Sequence, residues 1–368
     1  MSLKLFEIIH ELEAIAHPSL QESYDNSGLL VGDKNAVIHA ALVCLDCTED
    51  VVNEAIEKKC NLIIAHHPVI FGGLKKLIGE NDVQKVIVKA IQHNISIYAC
   101  HTNLDNVLNQ GVNGKIAQKL GLKDCSVLQP KQNLLQKLEV FVPHENAQAL
   151  KTALFEAGAG KIGNYSDCSF SSEGQGSFKP NIGAKPTIGS IGDLEHVSET
   201  KIEVVFPKWK SNNVITAMLE AHPYEEVAYQ LLNTENRING YGSGVVGILE
   251  NPMSETDFLQ YLKEKMELDV FKHTHFTGRT VSKIAVCGGA GAFLIGKAKS
   301  VCADVYVTSD IKYHEFFEAE KQLILCDIGH FESEKFTIEL IIEVLSKKFP
   351  NFATIFAQTN TNPIQYYR

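Results

Sequence analysis

The segment KLEVFVP at 137–143 returns as KIEVVFP at 201–207, and the same spacing holds beyond it. ALFEA (153–157) stands against AMLEA (217–221), and Tyr165 against Tyr229. Each copy reads as a strand ending at proline, then a helix, then a short segment ending in tyrosine. Two β-α-β halves of this kind make a ferredoxin-like sandwich, a four-stranded sheet with two helices. The stretch between the copies, SFSSEGQGSFKPNIGAKPTIGSIGDLE, is rich in Gly, Ser and Pro and reads as an extended loop. Residues 133–236 are therefore expected to form a compact unit of their own.

The flanks follow another rule. Residues 1–132 contain AVIHAALVCLD, CNLIIAHHPVI and ISIYACHTN; residues 237–368 contain GVVGILE, KIAVCGG, VYVTSD and LILCDIGH. Continuous apolar runs separated by amphipathic helical stretches indicate sheets covered on both faces. The expectation is an α/β fold: a split body with mixed sheets covered by helices, lobe 1 at 1–132 and lobe 2 at 237–368, with the 133–236 unit inserted. Insertion is tolerated where chain ends meet at a surface.

Composition narrows the function classes. The net charge of −10 argues against wholesale binding to nucleic-acid backbones, which calls for a basic surface. The start of the chain places Leu5, Ile8, Ile9, Leu12 and Ile15 at helical spacing and lacks the form of a signal peptide. No run is apolar for long enough to span a membrane. Nine cysteines without a framework spacing fit a reducing cytoplasm. Cys44 and Cys47 form a CxxC, but no second pair completes a zinc site, so the structural reading is preferred.

Three apolar runs end in groups that bind metals. The first ends in His66 and His67, the second in His101 with Asp105 four residues on, and the third in His330 with Glu334 four residues on. Sites in α/β proteins collect beyond the carboxyl ends of strands. A helix starting after Gly329 puts His330 and Glu334 on one face, one turn apart. Adjacent histidines diverge from an extended strand, so His66 and His67 are placed to serve different ions. A carboxylate such as Glu334 can bridge two ions. Nitrogen and oxygen donors in this mixture suit Zn²⁺, Mn²⁺ or Fe²⁺ and are too nitrogen-rich for Ca²⁺. A single strand-end histidine is more often a hydrogen-bonded structural residue; the case rests on their combination.

HHPVIFGGLKKL, HTNLDNVLNQGVN and GHFESE, with DNSGLLVG at 25–32, resemble the signature blocks of the Nif-three-like family, whose members are widely named GTP cyclohydrolase 1 type 2 homologues. AGAGKIGNYSDCSF and AHPYEEVAY in the repeat unit resemble the PII-like or CutA-like insert of its longer bacterial members. The resemblance runs through nearly the whole chain in order. It implies two divalent ions held by His66, His67, Asp105, His330 and Glu334, and a catalytic part for Glu334 and for His101, the latter either supporting a ligand or transferring a proton. It also implies a homohexamer whose metal sites face an internal cavity, and a small-molecule substrate, a nucleotide where the family name applies.

Other segments carry weaker signals. GAFLIGKA (291–298) nearly matches a phosphate-binding loop, but its interior is bulky and Ala298 stands where Ser or Thr would hold Mg²⁺. GGAG (288–291) reads as a tight strand-to-helix turn, with anion binding as the other option. The family resemblance implies that TSDIKYHE lies near the site, so that Asp310 orders a ligand histidine or contacts substrate; capping a helix is the other option. By spacing alone, Asp25 and Asn26 suggest only a turn. His222, Pro223, Tyr224, Glu225 and Glu226 leave open a subunit contact, a small-ligand site or a structural role. The function expected is metal-assisted hydrolysis, with opening of the GTP imidazole ring and formate release as the specific form. The alternatives are a non-catalytic metal-dependent regulatory or binding module and a phosphoesterase.

Overall fold

A computed structural model describes residues 3–367. It divides the chain into two units: the residues up to Pro130 together with those from Gly240, and Lys131–Asn239 between them.

The first segment of the body runs β1 (Leu3–Lys4), α1 (Leu5–Ile15), β2 (Gly28–Val31), β3 (Val37–Ile38), β4 (Ala40–Cys44), α2 (Glu49–Glu57), β5 (Leu62–Ala65), α3 (Asp82–Gln92), β6 (Ser96–Ala99), α4 (Thr102–Asp105), α5 (Val112–Lys119) and β7 (Leu122–Pro130). α1 starts where the Glu7 carboxylate accepts the Lys4 amide at 2.8 Å, and it buries Leu5, Ile8 and Leu12 on one face. α2 and α3 are capped by Thr48 and Asn81, whose side chains accept from Val51 N and Gln84 N.

The inserted unit runs β8 (Leu135–Pro143), α6 (Ala147–Glu156), β9 (Phe170–Phe178), β10 (Glu195–Pro207), α7 (Ser211–Ala221) and β11 (Tyr229–Thr234). Its sheet has the order β11-β8-β10-β9, all antiparallel, which is the ferredoxin-like arrangement. The repeated heptapeptides are the two central strands, with Leu138 opposite Val204 and Val140 opposite Ile202. Their alternation puts Leu138, Val140, Ile202, Val204 and Phe206 into a core with Leu150 and Leu154 of α6 and Val214 and Met218 of α7. On the opposite pleat, Lys137 Nζ lies 2.8 Å from both Glu139 and Glu203.

One expectation fails here. The Gly/Ser-rich stretch after Ser169 is not all loop, because Phe170–Phe178 is strand β9, paired residue for residue with Glu195–Glu203. β9 is an edge strand with little buried side chain, so it lacks the apolar alternation by which strands are recognised. The helical half of the repeat carries through, but Tyr229 opens β11 whereas Tyr165 sits in a turn before β9.

The last segment runs β12 (Gly242–Met253), α8 (Glu255–Lys265), β13 (Lys272–His273), β14 (Val281–Ala290), α9 (Ile295–Ser300), β15 (Val305–Ser309), β16 (Ile324–Asp327), α10 (His330–Glu334), α11 (Thr337–Lys348) and β17 (Ala353–Phe356). One body sheet has the order β17-β4-β5-β6-β2, parallel except for β2, and the other has the order β13-β16-β15-β14-β12-β7, with β14, β15 and β16 parallel. Each segment thus lends an edge strand to the other's sheet: β7 pairs with β12, and β17 with β4. Leu42, Ile63, Ala65 and Ile97 pack against Val51 and Val52 of α2 and Val86 and Ile87 of α3, so β5 is aliphatic throughout. Among the described residues no helix is long and apolar enough to cross a membrane. Cys44 and Cys47 are buried free thiols, and burial pushes Cys47 up to about 12.

Candidate metal centre

The carboxyl ends of parallel strands supply the cluster. β5 delivers His66 and His67, β6 delivers His101, and β16 leads through Gly329 into α10, which carries His330 and Glu334. Asp105 ends the short helix α4 that His101 opens. Three sets of ligand atoms lie within 4.8 Å of one another: His66/His67/His101, His67/His330/Glu334 and His66/Asp105/Glu334. The structure therefore brings all six expected residues to one place.

The four histidines share one device. His66 Nδ1 lies 2.8 Å from the Cys100 carbonyl, His67 Nδ1 2.8 Å from Asp46, His101 Nδ1 2.8 Å from Asp25, and His330 Nδ1 2.7 Å from Asp310. A carbonyl or carboxylate can only accept, so each Nδ1 carries the proton and donates it. Nε2 is then the nitrogen each ring can turn to a metal, and any proton it shares with Glu334 would leave when an ion binds. His67 Nε2 and His330 Nε2 are 3.3 Å apart, and Glu334 Oε2 lies 3.0 Å from the first and 3.1 Å from the second. His66 Nε2 stands 3.6 Å from Asp105 Oδ1 and 3.7 Å from Glu334 Oε2, beyond hydrogen-bond range. Among the described residues, His66 Nε2 and Asp105 Oδ1 are enclosed polar atoms with no hydrogen-bond partner. Buried polar atoms rarely go unpaired, and a divalent cation between them satisfies both. The donor set fits a metal.

Electrostatics agree with a site built around positive charge. Burial and the neighbouring Glu334 charge push the Asp105 carboxyl well above the usual carboxylate range. Burial acts the same way on Glu334, but His66 and the bonds from His330 and His67 outweigh it and hold Glu334 well below its ordinary value. Burial pushes His66 down. For His67, burial is outweighed by bonds to Asp46 and Glu334, which raise it to about 10. His330 is raised to about 9 against burial, chiefly by Glu334. Of the two carboxyls, only Asp105 is driven toward its protonated form, and a bound cation would take that proton's place.

Several functional residues escape a reading by spacing. Asp46 follows β4 at the same sheet edge as the histidines, and that placement was the available signal. Asp25 accepts from His101, from Thr102 N at 3.0 Å and from Thr102 and Ser27 hydroxyls, and Asn26 Nδ2 donates to Ile70 O at 2.7 Å. The DNSG block therefore holds His101 and the loop after the His-His pair. The structure shows the first of the roles left open for Asp310: it accepts from His330 Nδ1 and so orders that ring. GGAG makes a close approach. A Cβ on Gly289, whose φ is +63°, would lie 2.3 Å from Glu334 Oε1. GAFLIGKA forms a turn and α9 that bury Leu294, Ile295 and Ala298.

His222 has a structural part in the inserted unit: its Nε2 donates to Phe141 O at 2.8 Å and its Nδ1 accepts from Tyr224 N. Nearby, Tyr224, Phe178, Glu199 and Lys201 line a cavity of about 740 Å³.

A family model described as Duf34/NIF3 (NGG1p interacting factor 3) matches residues 3–363. A Bacillus subtilis protein named GTP cyclohydrolase 1 type 2 homolog is 42% identical, with 98% of each chain covered, and a Staphylococcus epidermidis protein of the same name is 37% identical over 99% of this chain and 100% of its own. Among solved structures, a Bacillus cereus protein related to NIF3 superposes with a TM-score of 0.82 at 38% identity, with 99% of each chain covered. A Staphylococcus aureus protein gives 0.78 at 31%, with the same coverage. The chain belongs to the Duf34/NIF3 family.

Proposed function

We propose that this protein is a dinuclear metal-dependent hydrolase, acting in the cytoplasm, and that GTP, opened at its imidazole ring with release of formate, is the first substrate to test. The observation that carries the dinuclear reading is a shared carboxylate: Glu334 belongs to both His66/Asp105/Glu334 and His67/His330/Glu334. The first set would hold one ion and the second the other, and Zn²⁺, Mn²⁺ or Fe²⁺ would suit the donors. Bound there, such ions supply Lewis acidity and lower the pKa of water toward neutrality. The name carried by the relatives supports the choice of GTP.

The chain's own residues divide the remaining work. Asp46 and Asp310 fix the planes of His67 and His330, so that both Nε2 atoms converge on Glu334. His101 lies with its ring 5.3 Å from those of His66 and His67, and Asp25 holds its Nδ1. Its Nε2 is therefore free to take a proton and pass it to the leaving group. Phe71 meets the His101 ring edge-on at 5.9 Å and keeps that side apolar.

Metal-loaded protein incubated with GTP is expected to release formate, and His101→Gln to slow it at least about 100-fold with metal content unchanged. Phosphate release from nucleotides without formate would move the assignment to a phosphoesterase. The cavity in the inserted unit favours a second reading, a metal-dependent ligand-binding module; there, Glu334→Ala removes metal and no substrate turns over. A homohexamer with its metal sites facing inward is proposed as well, and light scattering of the full chain tests it.

A further inference from the structure

The described residues after β17, 357–367, have no regular secondary structure, and much of this stretch is exposed. Its polar atoms nevertheless reach inward to defined partners. Glu54 of α2 accepts Gln358 N at 2.7 Å, Thr359 N at 2.9 Å and the Thr359 hydroxyl at 2.6 Å. Two residues on, the Thr361 hydroxyl donates to Asp46 Oδ2 at 2.7 Å, while Asp46 Oδ1 accepts from His67. Next to it, Asn362 Nδ2 donates to Glu332 Oε1 at 2.9 Å. Glu332 belongs to α10, the helix that carries His330 and Glu334.

These bonds reach residues beside the ligands on both body sheets: Asp46, which holds His67, and Glu332, on the helix of His330 and Glu334. The second torsion of an aspartate side chain is broad, so a carboxylate held at one oxygen turns easily. Asp46 is a third exposed, which leaves Thr361 as the constraint on its plane and hence on the His67 ring. Asn362 is itself fixed, since its Oδ1 accepts Ile364 N at 3.0 Å. We propose that Gln358–Ile364 is a positioning strap for the metal centre: Thr361 orients His67 through Asp46, and Asn362 holds the helix bearing His330 and Glu334 through Glu332. The inference rests on the metal-site reading of those ligands.

Cobalt(II) is the probe, because its visible absorption reports coordination geometry, and competition with a chromophoric chelator gives its affinity. Thr361→Val is expected to weaken Co²⁺ binding about tenfold and to alter the visible bands, while the metal-free protein melts as before. Thr361→Ser, which keeps the hydroxyl, is expected to restore both. In an Asp46→Ala background, Thr361→Val should add less than about a twofold loss, because the pathway is already cut. Asn362→Ser, at a half-buried position, is the independent arm and should weaken Co²⁺ binding without lowering the melting temperature of the metal-free chain. Unchanged Co²⁺ binding and spectra in Thr361→Val overturn the strap alone, as does an equal loss with and without Asp46. A wild-type chain that takes up no cobalt overturns the metal reading and the strap with it.

Discussion

Gly289 shows how tightly single residues define the centre. Its positive φ disfavours any side chain by about 1–2 kcal/mol, and a Cβ would press on Glu334 Oε1. Gly289→Ala should therefore displace the shared carboxylate and lower metal content nearly as far as Glu334→Ala does, which elemental analysis after dialysis would reveal; retention of wild-type metal would sink the idea. Asp310→Ala should cost about 10–100-fold in metal affinity by freeing the His330 ring, with little change in the fold, since Asp310 is exposed. The six clustered side chains were legible in the sequence because the four histidines stand just past aliphatic strands and the two carboxylates lie four residues beyond His101 and His330, at the ends of α4 and α10. Asp46 and Gly289 were not. Their roles depend on which strand lies beside which, and strand order leaves no local mark in a single sequence.

At the scale of elements, the helix and strand pattern of the body was readable because parallel strands buried on both faces are continuous aliphatic runs. β9 was not, since an edge strand draws its stability from backbone bonds to β10 that any side chain permits. The strap was hidden for a related reason: its order comes from partners about 300 positions away. Glu54 is the strap's acid-sensitive anchor. Burial pushes its carboxyl up, but bonds from Gln358, Lys58 and Thr359 outweigh that and bring it down to about 2 from an ordinary 4.5. A carboxylate depressed in the folded state adds stability that is fully present above pH 4.5 and lost as pH falls through about 2. Wild type should thus melt above Glu54→Gln at neutral pH, and the gap should close between pH 4.5 and 2. A gap that is constant across that window would show that the charge on Glu54 does not hold the strap.

At the scale of the whole molecule, the larger of the two units is a body made from two chain segments, and the candidate metal centre draws on both: His66, His67 and Asp105 come from the first, His330 and Glu334 from the second. Metal should therefore stabilise the body by mass action, about 2.7 kcal/mol at a free concentration 100 times the dissociation constant, and chelation should lower the melting temperature accordingly. The same connectivity predicts that the inserted unit is dispensable for the site. Pro130 at the end of β7 is already the antiparallel partner of Gly242 at the start of β12, and Val107 bridges to Tyr241. Removing 131–239 and joining Pro130 to Gly240 through Asn-Gly leaves a short hairpin loop between strands already in register. The insert keeps its own core of Leu138, Val140, Ile202 and Val204 with α6 and α7, so the body surrenders none of its own. The shortened body should unfold in a single transition and bind Co²⁺ with affinity within about threefold of the full chain, a change small against the 10–100-fold cost of losing a ligand's support. Loss of cobalt binding in a body that still melts cooperatively would mean that the insert takes part in building the metal centre.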